Sequence, residues 1–435
     1  MMKKSVAAVA LLAGLGVPAV AHATPQGAVD DVQLAWADGK VKVSWSETAA
    51  GIPNWLYLAI PGKASKLLGT TTGAGANEFL VSPSALEPTH DSKSTARIIV
   101  SDPSTDPAYS ATFDRYIQGP TPFSPIMTGG GAMSWQFAPD PAVDTTPKDP
   151  LDAAQPVRYV PRLTLGKTPG TTNECEKVAL PATTSPYGSI PKQFRPFTLD
   201  LYKVSEWGES KLASVRTRTS STTFSTPAST TLGATITMTG SIQLNTLKNP
   251  AAGNCEDIDE TAALGGLMMV LHTRTSASSP WTVVGVSRTD AKGKYTFVVK
   301  NPGTREYRAV LTDGAGGGVA NYQSISAQKV VRASTQFVQA KFITPVIKLG
   351  QQPNAYLWVE PARAQKAALQ FKNANGVWQG LMYKTLSSGR GLSGPFAFNR
   401  LGQTQFRWWV PASLNGAGLP VDAAYSSPFT LTVNR

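Results

Sequence analysis

The 435-residue sequence predicts an all-β protein built from tandem β-sandwich domains. Helical periodicity is nearly absent, and short runs of alternating apolar and polar residues recur along the chain. These runs are rich in Val, Ile, Thr, Tyr and Trp, which favour strands, and Gly, Pro, Asn and Ser separate them. The pattern indicates one helical exception, a short segment from Ala362 to Leu369.

The first 23 residues have the three zones of a secretory signal peptide. Lys3 and Lys4 give a positive start, Val6 to Val20 is apolar and uncharged, and Ala21-His22-Ala23 offers small residues for cleavage. The apolar stretch is shorter than the ~20 residues that span a bilayer. We therefore expect cleavage after Ala23 and a secreted, extracellular or cell-wall-associated protein that is not membrane-spanning.

The remaining chain is too long for one core, so several domains are expected. In segment 24–119, Val41, Val43 and Trp45 alternate on one face of a strand, and an aromatic strand follows from Trp55. A Ser-Trp strand, then an aromatic strand, then several short strands resembles a fibronectin type III domain. The resemblance implies that Trp45 is the core tryptophan of a first sandwich.

The Ser-Trp motif recurs after 90 residues, since Met133-Ser-Trp135 follows Val43-Ser-Trp45 at that distance. This spacing suits one sandwich per repeat. Segment 120–225 is therefore predicted as a second sandwich with long loops. Its predicted strands include 158–165 and 197–202.

Segment 226–333 is predicted as a third sandwich. A tryptophan strand begins at Trp281, a tight turn runs from Asp290 to Gly293, and Tyr295 opens the next strand. This order resembles the bacterial Ig-like repeats of secreted actinobacterial proteins. The resemblance implies a fold and not a function, because such sandwiches serve many roles.

Segment 334–435 reads as a degenerate copy of the third sandwich. Val377-Trp378 takes the place of Pro280-Trp281, and 405–408 takes the place of 306–309. The spacing before the tryptophan is about twenty residues longer in the earlier copy. That difference predicts an insertion at 245–265.

The sequence contains two cysteines, Cys175 and Cys255, both in polar, loop-like contexts. In an oxidising, exported setting one disulfide between them is the economical interpretation. Two unpaired, buried thiols are the alternative. If the disulfide forms, it ties the second predicted sandwich to the third.

No motif for catalysis stands out. Beyond the signal peptide the chain has two histidines, His90 and His272, and neither lies in a recognised catalytic motif. We therefore predict a protein that is not an enzyme, with no cofactor, and place a cryptic secreted hydrolase last among the functional hypotheses.

Two acid-rich stretches offer oxygen ligands of the kind that Ca²⁺ prefers. Neither stretch has EF-hand spacing, so solvated polar loops are the preferred interpretation and no metal site is predicted. The residues concerned are Glu256, Asp257, Asp259 and Glu260 in the insertion, and Asp140, Asp144, Asp149 and Asp152 in the second segment.

Positive charge is concentrated at the end of the chain. Segment 334–435 carries ten Lys and Arg against Glu360 and Asp422, whereas 24–225 carries 18 basic and 19 acidic residues. A domain this basic attracts polyanions at short range. Outside a cell the candidate partner is an anionic cell-wall polymer or glycan, and nucleic acid is not expected. The alternative is that the charge only confers solubility.

The sequence therefore predicts a secreted, non-catalytic, envelope-associated or adhesive protein whose basic C-terminal module holds an anionic wall polymer. A carbohydrate- or protein-binding adhesin that uses its sandwich loops, with other surface proteins as partners, is the alternative. Trp408 and Trp409 are adjacent, so one should be buried and the other exposed. The predicted polymer-binding residues are Lys366, Lys372, Lys384, Arg390, Arg400, Arg407, Trp358, Trp378 and Trp409.

Overall fold

The structure is a computed structural model. It describes residues 28–48, 51–73, 77–103, 105–121, 125–128, 132–137, 146, 148–152, 157–166, 175–193, 195–262, 264–316 and 318–435. In these ranges the regular structure is strand, apart from two 3₁₀ turns at Pro83–Leu86 and Pro250–Ala252. The predicted all-β fold class is confirmed. The predicted signal peptide lies outside the described residues, and no helix within them could cross a membrane.

The chain divides into two compact units. The first contains Met1–Pro120, Pro139–Arg158 and Lys203–Leu212, and the second contains Thr121–Ala138, Tyr159–Tyr202 and Ala213–Arg435. The division into four sandwiches stays a prediction.

The first unit is a sandwich of two antiparallel sheets. Three strands pair in the order β1-β2-β5, and five pair as β4-β3-β6-β7 with β8 also on β6. Their bounds are β1 Val29–Ala37, β2 Lys40–Glu47, β3 Trp55–Ala59, β4 Lys66–Thr70, β5 Glu78–Val81, β6 Thr95–Ser101, β7 Ala108–Tyr109 and β8 Phe113–Asp114.

Alternation places the core of this unit between the two sheets. Val41, Val43 and Trp45 are buried as the sequence predicts. Two residues from distant parts of the chain complete this core, Leu151 and Trp207. The indole of Trp36 donates a hydrogen bond to the Leu151 carbonyl at 2.8 Å and meets Trp207 edge-to-face at 5.8 Å.

Strands β9 to β37 follow the same chain order. Those up to residue 334 are β9 Ile126–Thr128, β10 Ala132–Gln136, β11 Arg158–Leu165, β12 Glu176–Ala179, β13 Tyr187–Ile190, β14 Phe197–Ser205, β15 Gly208–Thr222, β16 Ser229–Thr231, β17 Thr235–Asn249, β18 Asn254–Asp259, β19 Met268–Arg274, β20 Thr282–Arg288, β21 Lys294–Lys300, β22 Arg305–Leu311, β23 Gly314–Gly316, β24 Val319–Asn321, β25 Ser324–Ile325 and β26 Lys329–Ser334. The remaining strands are β27 Gln336–Phe342, β28 Val346–Lys348, β29 Ala355–Glu360, β30 Gln365–Lys372, β31 Trp378–Leu386, β32 Arg390–Leu392, β33 Gly402–Val410, β34 Ser413–Leu414, β35 Pro420–Val421, β36 Ala424–Tyr425 and β37 Phe429–Asn434.

Most of the predicted insertion at 245–265 forms a hairpin. Strand β17 continues to Asn249 and returns as β18, at the end of a sheet ordered β12-β11-β14-β15-β17-β18. Strands β21, β24 and β23 join this sheet through β17 and β15, and a separate sheet has the order β13-β10-β9.

The structure joins Cys175 and Cys255 in a disulfide, with their Cα atoms 4.9 Å apart. The prediction that both cysteines lie in polar loops is wrong for Cys255, which is fully buried within β18. That prediction was based on the polar residues beside Cys255, which occupy the solvent-facing positions of a short hairpin.

Two successive six-stranded sheets share one topology. The first has the order β16-β26-β22-β19-β20 with β25 on β22, and the second β28-β37-β33-β30-β31 with β36 on β33. In both, the first pair is parallel and the others are antiparallel. Each also has a bulge in the last pair, where one extra residue of β20 lies opposite Leu271–His272 and one extra residue of β31 lies opposite Leu369–Gln370.

The predicted helix from Ala362 to Leu369 is wrong, because the structure places β30 at Gln365–Lys372. Ala367, Ala368 and Leu369 are all buried. Strands β31 and β33 lie on either side of it in the sheet, and the small side chain of Ala368 is buried on the face opposite Ala367 and Leu369. A short apolar run buried on two faces loses its alternation and cannot be told from a helix by pattern.

Two separate hydrophobic cores, one formed by residues within 224–331 and one by residues within 342–433, define what we call the preceding and the last sandwich. The β34–β35 hairpin of the last sandwich contacts the preceding one. The backbone amide of Thr304 donates to the Pro420 carbonyl at 3.0 Å, and Asn415 donates to the Pro302 carbonyl. Arg332 holds both carboxylate oxygens of Asp422, at 2.7 and 2.9 Å. Specific hydrogen bonds and an ion pair therefore join the two sandwiches, in addition to the covalent link between them.

We predict that replacing both cysteines by serine lowers the free energy of unfolding by about 4 kcal/mol, the loop-closure effect of a bridge over 80 residues. Urea titration of the wild type and the double variant measures this difference. Reductant should reproduce the loss in the wild type and have no effect on the double variant. Equal stability of the two proteins would contradict the prediction.

We also predict that Gly303→Ala destabilises the junction by about 2 kcal/mol or more. Gly303 has φ 136°, and an added Cβ would lie 2.5 Å from the Cβ of Leu419. The matched control is Gly416→Ala, because Gly416 has open space around its Cβ position. Chemical denaturation should show a loss for the first variant alone, and equal losses would refute the role of Gly303.

Candidate functional site

The candidate site lies on the outer face of the sheet β28-β37-β33-β30-β31. Strand β33 alternates, with Phe406 and Trp408 fully buried in the core and Arg407 and Trp409 half-buried on the other face. Of the two adjacent tryptophans, one is in the core and the other is partly exposed, as the sequence predicts. Arg407 and Trp409 therefore project from the same face.

An aromatic row crosses four neighbouring strands on this face. Tyr383 is 72% exposed and pairs with Ala368, which pairs with Trp409, which in turn pairs with Tyr425. Adjacent strands are ~4.8 Å apart, so the row extends over roughly 14 Å. Sequence reasoning missed Tyr383 and Tyr425, because short strand patterns do not reveal which strands pair.

Arg407 lies between two rings. Its guanidinium carbon is 4.3 Å from the centroid of the Trp378 ring and 3.8 Å from that of Tyr425. Its Nε donates to Oε1 of Gln370 at 2.8 Å. Cation–π attraction and this hydrogen bond hold the guanidinium in one position at the surface.

Further positive charge lies on the same face. Regular alternation in β30 places Lys366 and Lys372 with Gln370, opposite the buried Ala367 and Leu369. None of the ten Lys and Arg in 334–435, all of them described, pairs with a carboxylate. One of the two acids, Asp422, is engaged by Arg332 of the preceding sandwich.

The nine predicted polymer-binding residues divide among several surfaces. The outer face described above brings together five of them, Lys366, Lys372, Trp378, Arg407 and Trp409. Trp358 and Arg390 are cross-strand partners in a different sheet, β27-β29-β32, where the guanidinium lies 3.9 Å from the ring centroid. Lys384 is half-buried on the edge strand β31, and Arg400 is exposed in the loop before β33.

The preceding sandwich has an equivalent tryptophan and arginine. The ring of Trp281 has the guanidinium carbons of Arg274 and Arg308 at 4.5 and 4.2 Å. Here a carboxylate of Glu306 accepts a hydrogen bond from Arg274 at 2.7 Å. Burial and the nearby Arg308 charge lower the pKa of His272, which faces that arginine. Both effects favour the neutral imidazole.

Strand register shows how the two faces correspond. Leu271 pairs with Ala309 as Leu369 pairs with Trp408, so Arg308 is equivalent to Arg407 and Glu306 to Gln405. The aromatic row also has an aliphatic counterpart in the preceding sandwich. Its members are Val286, Val270, Val310 and Ile325. The last sandwich thus keeps the Trp–Arg stack, gains rings and replaces the carboxylate by an amide.

The acid-rich stretches are held by contacts within the protein. Lys248 pairs with Glu256 at 3.2 Å and Arg218 with Glu260 at 3.2 Å. The amide of Gln243 donates to Asp259 at 2.8 Å. The side chain of Asp257, like Asp140 and Asp144, lies outside the described residues.

Asp149 and Asp152 lie near Asp114, and one carboxylate oxygen from each falls within 4.8 Å of the others. The backbone amides of Leu151 and of Asp114, which lies on β8, donate to Asp149 at 2.7 and 2.8 Å, and the amide of Lys148 donates to Asp152. Burial raises the pKa of Asp149. These hydrogen bonds tie the loop to itself and to β8.

Neither histidine hydrogen-bonds to a carboxylate within the described part of the chain. His90 donates from Nδ1 to the Ile117 carbonyl at 2.7 Å, and His272 lies 3.5 Å from Arg308. These partners orient each ring within its strand or loop.

Comparison with known proteins finds similarity to solved structures only. No family model matches the chain, and no curated protein matches it. Among solved structures, one that aligns is the crystal structure of a tetra-tandem repeat in the extending region of a large adhesion protein. The alignment covers 93% of this chain and 99% of that one, at 12% identity and a TM-score of 0.23, which is too low to assign a shared fold.

We predict losses of stability of very different size for truncating the two adjacent tryptophans. Trp408→Ala should cost about 3–5 kcal/mol of stability, because it empties a fully buried position. Trp409→Ala should cost about 1 kcal/mol, since that ring lies on the surface. Equilibrium unfolding in urea measures both, and similar losses would show that the outer face is wrongly assigned.

Proposed function

We propose that this protein is an exported, non-catalytic adhesive protein of the cell envelope, and that its last sandwich binds an anionic wall polymer or glycan. The binding surface is the outer face that carries Trp378, Tyr383, Arg407, Trp409 and Tyr425. The replacement of Glu306 by Gln405 at the equivalent position is the observation that carries the proposal. It removes the carboxylate from a surface that keeps its arginine and its tryptophan.

The chemistry of this face suits a charged sugar polymer. Exposed rings offer apolar contact to the faces of sugar rings, and a row across four strands can contact more than one unit. Arg407 presents a planar, permanently charged group that can hold a carboxylate or phosphate through paired hydrogen bonds. Lys366 and Lys372 add charge at the side of the row, where it attracts a polyanion over ~8 Å at physiological salt.

Export is supported by two features. The first 23 residues have the composition of a signal peptide. The Cys175–Cys255 disulfide belongs to oxidising compartments such as the exterior of a bacterial cell. The four tandem sandwiches and their likeness to fibronectin type III and Ig-like domains are part of the same proposal, because such arrays separate a binding domain from its attachment point.

We predict that Gln405→Glu weakens retention of the protein on isolated cell walls by about threefold, and Arg407→Gln by about tenfold, an effect of roughly 1.4 kcal/mol. The first restores the carboxylate of the preceding sandwich, and the second removes the stacked cation. Co-sedimentation at increasing salt measures both, and wild-type binding should decline steadily as salt rises.

Arg390→Gln is the matched control, because it removes the same charge from the same sandwich but from a different sheet. It should retain most of the binding. Equal losses of wall binding for Arg390→Gln and Arg407→Gln would indicate that binding depends on net charge alone and not on the outer face. Retention unaffected by any of the three substitutions would reject the site and leave the charge as a solubility feature.

A further inference from the structure

The first unit contains a cavity with one oriented arginine. The cavity has a volume of about 350 Å³ and opens on the sheet β4-β3-β6-β7, beside the end of β3. Ala59, Ile60 and Pro61 line it from β3 and the residues that follow, Arg97 from the neighbouring strand β6, and Tyr109 from β7. This volume is within the range of small-molecule sites, at its lower end.

Arg97 is held in a fixed direction. It projects from β6 away from the core, since its neighbours Ala96 and Ile98 are buried. Its Nε donates to the hydroxyl oxygen of Thr112 at 2.7 Å. Because that bond uses Nε, the two terminal nitrogens of the guanidinium remain available to bind a ligand. Within the described residues no carboxylate lies within ion-pair distance of Arg97.

The other side chains that line the cavity indicate which neutral part of a ligand could accompany its negative charge. Thr112 accepts from Arg97, so its hydroxyl proton is available to a ligand, and Thr95 adds a second hydroxyl. The ring of Tyr109 is 54% exposed and supplies a flat apolar wall. An arginine fork, two hydroxyls and an aromatic wall are complementary to a carboxylate on a small hydroxylated ring.

We propose that this cavity is a second binding site, specific for a carboxylate carried on a single sugar-sized ring. Arg97 pairs with the carboxylate through its two terminal nitrogens. Thr95 and Thr112 bond to ring hydroxyls, and Tyr109 packs against the ring. The site is separate in residues and in compact unit from the aromatic row of the last sandwich.

The test uses the full-length mature protein and D-glucuronate as the probe, with D-glucose as its uncharged counterpart and acetate as a carboxylate without a ring. Ligand-observed NMR titration should give glucuronate binding at least about tenfold tighter than either control. Arg97→Gln should abolish that preference. Thr112→Val should weaken glucuronate binding severalfold while leaving the charge in place.

Arg407→Gln is the control that separates this proposal from the wall-binding proposal, and it should leave glucuronate binding unchanged. Loss of binding in Arg407→Gln with full binding in Arg97→Gln would assign the carboxylate to the last sandwich and overturn the proposal. Equal affinity for glucuronate and glucose would also overturn it. An unchanged affinity in Thr112→Val would overturn the positioning role of Thr112. Arg97 is exposed, so urea titration should confirm that its variant folds normally.

Discussion

The constraint on which the structure depends is that a strand in a two-sheet sandwich buries every second side chain. Phe406 and Trp408 satisfy this requirement in β33 and fill the core of the last sandwich. The intervening positions are then released from packing, and Arg407 and Trp409 occupy them. The outer face of such a sheet can therefore change its chemistry while the core that supports it stays the same.

The two related sheets show this freedom directly. Both keep a tryptophan with an arginine over its ring, Trp281 with Arg308 and Trp378 with Arg407. A side chain at the equivalent position of the neighbouring strand faces each arginine, the imidazole of His272 in one sheet and the amide of Gln370 in the other. The Trp–Arg stack is thus common to both sheets. Its arginine is available to bind an anion where no carboxylate lies beside the stack.

The sequence predicted what depends on local alternation. It predicted the all-β class, the burial of Trp45, and the opposite placement of Trp408 and Trp409. Features that depend on which strands pair in the folded protein could not be predicted from the sequence. Tyr425 joins Arg407 because β36 pairs with β33, and Trp207 enters a core formed mainly by residues far earlier in the chain. Nothing in the sequence near either residue indicates those partners.

The junction between the last two sandwiches also affects the electrostatics of the binding face. Segment 334–435 has only two acids, and Arg332 engages one of them, Asp422. The hydrogen bonds to Asp422 raise the pKa of Arg332. Because Arg332 holds its carboxylate, Asp422 cannot form an ion pair with Arg407 or Lys372. The contact that fixes the hairpin of the last sandwich against its neighbour therefore also leaves the positive charge of the outer face uncompensated.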